Sequence, residues 1–202
     1  RLHIEQGKVL EECKTQVGIV GTIAGPVRYR VYLRGMAEHS GATPMDMRSD
    51  ALCAAAEIIL EMEKIGKWES AYESVATVGV VQNHPNVLNV IPGRVEFGVD
   101  MRGIDQDSLD RMERAFKAAV RESCKKRGVE YVAEKINSIP PIDMRRSGLE
   151  FPAGECPAVR VMMPCRLRRS VIPVWCLFRA GAVCLTILRS MRRLRVSVMG
   201  RG

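Results

Sequence analysis

Between Pro26 and Ile136 the hydrophobic period of the chain switches from two to three-and-four and back, twice over, and few folds accommodate that order. From Pro26 to Arg34 the residues alternate, with Val27, Tyr29, Val31 and Leu33 on one side and Arg28, Arg30, Tyr32 and Arg34 on the other. That is the pattern of a half-buried strand. Ser49 or Asp50 stands where a helix cap belongs, ahead of Leu52, Ala55, Ala56, Ile59 and Met62 at steps of three and four, with Gly66 as the expected stop. Strands are expected over residues 74–82 and 94–102, the second with Val95, Phe97, Val99 and Met101 on its buried face. A second helix is expected from a cap at Asp107, with Leu109, Met112, Phe116, Ala119 and Val120 in one stripe. It should stop at Gly128, behind Lys125, Lys126 and Arg127, cations that suit a helix C-terminus. A last strand spans residues 130–136.

The order β-α-β-β-α-β predicts an α+β fold of the ferredoxin-like kind: an antiparallel sheet with both helices on one face. The free edges of such a sheet favour pairing with a second copy. No apolar run approaches the roughly 20 residues that span a bilayer, which argues against a membrane protein.

Four short motifs carry candidate chemistry. Leu2-His3-Ile4-Glu5-Gln6-Gly7 reads as an extended stretch with His3 and Glu5 on one side, although a lone strand histidine also serves as an ordinary core or surface residue. Glu38-His39-Ser40-Gly41-Ala42-Thr43-Pro44 is a polar loop between strand and helix, and it reads equally as a plain helix-entry loop. In Asn89-Val90-Ile91-Pro92-Gly93, Asn89 is as plausible as a turn former. Asp100-Met101-Arg102 ends a strand, where Arg102 could simply be a solvated charge.

Together, in this order and at these separations, the four motifs resemble the hydantoinase/carbamoylase family of metal-dependent amidases, which includes N-carbamoyl-L-amino-acid hydrolases, allantoate amidohydrolases and ureidopropionases. The resemblance runs from Leu2 to about Asp143. It implies an internal fragment: residues 1–16 a segment of a dinuclear-metal, aminopeptidase-like catalytic domain, 17–137 a lid that forms a homodimer, and 138–144 the return to the catalytic domain. It further implies that His3 ligates one of two divalent ions (Zn or Mn), and that Gln6 touches the ureido or amide end of a small-molecule substrate. Asn89 and Arg102 would grip the substrate carboxylate, and His39 would reach into the partner subunit's site to stabilise an oxyanion. The implied activity is hydrolysis of N-carbamoyl-L-amino acids in the cytoplasm, with allantoate amidohydrolase or ureidopropionase as alternatives. The rival of another class is a catalytically inert dimerisation module.

Composition matters from Arg145 onward. Up to Met144 there are 19 Lys+Arg against 21 Asp+Glu, whereas residues 145–202 hold 12 Arg, no Lys and only Glu150 and Glu155. Basic tails suggest nucleic acid, but this one lacks the usual Lys/Arg mixture and any periodicity. Its Cys156, Cys165, Cys176 and Cys184 have no Cys-x-x-Cys pair and no nearby His to make a zinc site. A shift of frame accounts for it better. Codons for Met162-Met163 must read Asp in the adjacent frame, and synonymous choices permit Gly-His-Asp-Ala there and Gly-Val-Ser-His-Asn-Pro across residues 182–188. The two hidden histidines fall at codon boundaries 161/162 and 185/186. Residues 145–202 therefore read as a frameshifted, non-native tail, and no nucleic-acid partner is expected.

Overall fold

The computed structural model describes residues 2–14, 17–144 and 185–187. In chain order the elements are β1 (Leu2–Ile4), α1 (Val9–Glu12), β2 (Val17–Ile19), β3 (Thr22–Ile23), β4 (Gly25–Arg34), α2 (Ala51–Trp68), β5 (Val75–His84), β6 (Arg94–Gly103), α3 (Gln106–Arg127), β7 (Glu130–Ser138), β8 (Ile142–Asp143) and β9 (Leu185–Ile187). Backbone contacts group them into two compact units, residues 24–142 and residues 1–23 with 143–202.

The first unit is a four-stranded sheet in the order β5-β6-β4-β7, with every pairing antiparallel. This is the expected split-βαβ topology. The alternation in β4 and β6 becomes a two-faced sheet: Val27, Tyr29, Val31, Leu33, Val95, Phe97, Val99 and Met101 are all buried, and α2 and α3 pack on them. Phe116 of α3 meets the Tyr29 ring at 5.1 Å between centroids. Each large apolar side chain so buried contributes roughly 1.5–3 kcal/mol.

The helices differ from expectation in detail. In α2 the buried positions are Ala51, Ala54, Ala55, Ile58, Met62 and Ile65, while Leu52, the first residue of the expected stripe, is exposed. The stretch is apolar nearly all round, so two helical phases compete in the sequence; the one that turns alanines to the sheet lets the helix come close. Gly66 is not the stop. The helix continues to Trp68, and a Cβ at Gly66 would lie 3.1 Å from the Ala76 nitrogen, so the glycine serves close packing on β5. The cap of α3 is Asp105, whose carboxylate accepts from the Asp107 N–H. Asp107 is inside the first turn. Ala119 is only half-buried. Asp50 caps α2 by accepting from Leu52 and Cys53, and Gly128 ends α3 in the left-handed conformation (φ 62°).

Two carboxylates tie the elements together, one between the helices and one between helix and sheet. Glu57 of α2 accepts from Arg127 at 2.6 Å and Lys126 at 2.9 Å, and these bonds hold its pKa down to about 2. Glu113 of α3 accepts from Tyr29, Lys117 and Lys135. Burial pushes the Glu113 carboxyl up, but those three hydrogen bonds outweigh it and leave it at about 2.

In the second unit β9 lies between β1 and β2, parallel to β1 and antiparallel to β2. These three residues are the described part of the 145–202 tail; the rest of that reading lies outside the described residues. Among the described residues no helix is long and apolar enough to cross a membrane.

Candidate functional site

The candidate residues of the lid gather at two places, the two ends of its sheet. At one end β4 leaves for its loop at Arg34, and the β5–β6 connection passes alongside. The two loops are stitched by main-chain bonds: Gly35 N to Gly93 O (2.9 Å), Ile91 N to Glu38 O (2.8 Å) and Ser40 N to Asn89 O (2.9 Å). His39 and Val90 form an antiparallel bridge. Gly93 permits this approach, since a Cβ there would stand 2.8 Å from the Ala37 nitrogen. Residues 39 and 89, fifty apart in sequence, thus come side by side, both exposed.

The His39 loop is closed internally. The His39 carbonyl accepts from the Ala42 and Thr43 amides and from the Thr43 hydroxyl, each at 3.1 Å. Its ring Nδ1 accepts from the Gly41 N–H at 3.1 Å. Arg48 spans the loop, donating to Ser40 O at 2.5 Å and to Thr43 O at 2.8 and 3.0 Å. Arg48 was not among the residues singled out in the sequence. The signal was faint, an arginine one turn of chain past a loop whose carbonyls need donors.

Arg102 lies at the other end. It is eight residues along β6 from Arg94, about 27 Å at the usual strand rise, so it cannot touch what His39 and Asn89 of the same chain touch. It sits on the sheet face away from the helices. Its Nε donates to Asp100 Oδ2 at 2.9 Å, while Arg28, directly opposite Asp100 on β4, donates from Nε to Oδ1 at 3.1 Å. One carboxylate therefore engages two guanidinium groups through their Nε atoms.

His3 lies in β1, in register with Thr186 of β9. Gln6 is exposed just beyond. Between them Glu5 is only 3% exposed, and its carboxylate accepts from the Val9 and Leu10 amides at 2.9–3.2 Å, capping α1. That role was not anticipated. Its trace in the sequence is an acidic residue placed before a glycine and a short helix. Among the described residues no group of three or more His, Cys, Asp or Glu side chains is placed to hold a metal ion; the two divalent ions implied above find no ligand set there.

Residues 22–128 match a known family model, that of the M20 peptidase dimerisation domain. The chain belongs to that family. Among its relatives, the N-carbamoyl-L-amino acid amidohydrolase of Geobacillus stearothermophilus is 40% identical over 141 residues, covering 70% of this chain and 34% of that protein. The allantoate amidohydrolase of Bacillus subtilis (strain 168) is 40% identical over 143 residues, covering 71% and 34%. A solved amidase of the hydantoinase/carbamoylase family from Burkholderia multivorans superposes with a TM-score of 0.73 at 29% identity, over 93% of this chain and 46% of that one. The chain thus spans about a third of the length of these curated relatives. The dimerisation domain accounts for the part of the chain in which the fold was most legible, and among the described residues its β5 edge carries no neighbouring strand.

Proposed function

We propose that this dimerisation domain serves a metal-dependent hydrolase of linear C–N bonds acting on N-carbamoyl-L-amino acids, with allantoate or another ureido compound as the alternative substrate. The observation that carries the reading is the separation of the lid residues. His39 and Asn89 share one end of the sheet and Arg102 occupies the other, so a single substrate meets both sets only if they come from two copies. A two-fold pairing of β5 with β5 of a second copy runs the two sheets in opposite senses. Such a pairing brings the loop end of one lid beside the strand end of the other.

In this reading Arg102 binds the substrate carboxylate with its two terminal nitrogens, a fork that matches a carboxylate with parallel bonds. His39 and Asn89 arrive from the partner copy, His39 to stabilise the developing oxyanion and Asn89 to add an amide donor. Gln6 touches the ureido end, and His3 belongs to the metal set. Residues 1–16 belong to the catalytic domain, the return to it comes after β7, which still holds Ser138 in the lid sheet, and the chain alone is a dimerisation module without turnover. Residues 145–202 are a frameshifted tail. The register that sets Thr186 beside His3 supports this, because the alternative frame places a histidine at the 185/186 boundary. The coding DNA from codon 140 onward tests it: absence of both motifs in every other frame rejects the frameshift.

The test of the shared site is subunit mixing in an enzyme of the relatives' length carrying this lid. His39→Ala and Arg102→Ala are each expected to be inactive. Their mixture should recover up to about a quarter of the unaltered activity, since half of randomly formed dimers hold one intact site. No recovery on mixing rejects the two-copy site.

A further inference from the structure

The geometry points to Gly41 and Arg48 as positioning residues that hold His39 in one tautomer, with the ring proton on the outward Nε2. The Gly41 N–H donates to Nδ1 at 3.1 Å, and a nitrogen that accepts a hydrogen bond carries no proton of its own. A neutral imidazole has a single N–H, so that proton is on Nε2. The main chain leaves Gly41 little freedom to withdraw. The two amides after it, of Ala42 and Thr43, both bond to the His39 carbonyl. Arg48 grips the carbonyls on either side of it, Ser40 and Thr43. Glycine suits position 41 because a Cβ there would crowd Cε1 of the ring at 3.3 Å, with Nδ1 in ordinary contact at 3.5 Å.

The consequence is a preorganised neutral donor. An imidazole free to exchange its proton between the two nitrogens spends part of its time with no donor facing outward; His39 does not. What that donor serves rests on the reading of His39 as an oxyanion stabiliser, whereas the tautomer itself does not depend on it.

The chain contains three histidines, so nitrogen-15 NMR of the full 202-residue chain resolves each ring, with His39→Gln supplying the assignment. The expected result is a scalar coupling across the hydrogen bond between the Gly41 amide nitrogen and His39 Nδ1, together with a proton on Nε2 alone. His84, exposed on β5, serves as the internal reference for an unrestrained ring. Arg48→Ala should lose the coupling and acquire a population protonated at Nδ1, with His84 unchanged. A proton on Nδ1, or no coupling to Gly41 in the unaltered chain, overturns the proposal. Coupling that survives Arg48→Ala removes Arg48 from it. Failure of the oxyanion reading would look different: His39→Ala in the longer enzyme would keep its kcat while the coupling stood.

Discussion

At the loop end of the sheet His39 and Asn89 are held by main-chain hydrogen bonds between two loops, whereas at the strand end Arg102 is held by a side chain, the Asp100 carboxylate it shares with Arg28. The difference teaches where each end is vulnerable. A main-chain lattice depends on close approach and therefore on glycines. A charge-held group depends on one carboxylate and tolerates changes of backbone packing. Substitutions at the loop end should therefore register first in folding, and substitutions at the strand end first in binding.

The largest effect is expected from Gly35→Ala. An added Cβ would stand 1.9 Å from the Ser49 carbonyl oxygen, a backbone atom that cannot move without breaking the Met36 N to Ser49 O bond. A loss of about 3 kcal/mol or more is expected, measured by urea unfolding. Gly98→Ala in mid-sheet, where the nearest atom is 3.7 Å away, should stay within about 1 kcal/mol of the unaltered chain. Equal losses at the two positions would break the comparison.

Acid sharpens it next. Glu57 and Glu113 have folded pKa values of about 2, below the ordinary carboxylate value, so their contribution is fully present above about pH 4.5 and disappears as pH falls toward 2. Each is worth at most about 3 kcal/mol, reduced by the exposure of their lysine partners. Denaturation midpoints measured from pH 6 to 2 should fall, and Glu113→Gln should flatten that dependence. The loop-end lattice contains no carboxylate bond of this kind, so protection of the Ser40 and Ile91 amides from hydrogen exchange should fall only with global stability.

Arg102→Lys in an enzyme of the relatives' length should lower kcat/KM about 10- to 150-fold, the loss of roughly 1.5–3 kcal/mol of charge-assisted hydrogen bonding, with its melting temperature unchanged. Asp100→Asn should raise KM in the same direction by a smaller factor. A silent Arg102→Lys rejects the carboxylate grip and leaves a solvated charge. Smallest is Asp50→Ala, which removes the α2 cap and should cost about 1 kcal/mol with no kinetic effect at either end.

Much of this was legible in the chain. The strands β4 and β6 were bounded to within a residue because their charged and apolar faces alternate strictly. Gly128 was a clear stop because cations precede it. The phase of α2 was not legible, since Leu52, Ile59 and Leu60 compete with Ala54, Ala55 and Ile58 for the sheet, and the winner depends on how near the helix can come. Nor was Glu5, whose burial follows from the fold of the turn after β1.

By itself the sequence determined the element order, the inward face of each strand and the residues with chemistry to offer, because these depend on local periodicity and residue type. It also carried the resemblance that points to the amidases. Only the tertiary structure decided which of those residues meet. Antiparallel pairing of β4 with β6 laid the 35–50 and 85–93 loops together and sent Arg102 to the far end of the sheet, a consequence of strand direction and register that no motif spacing contains.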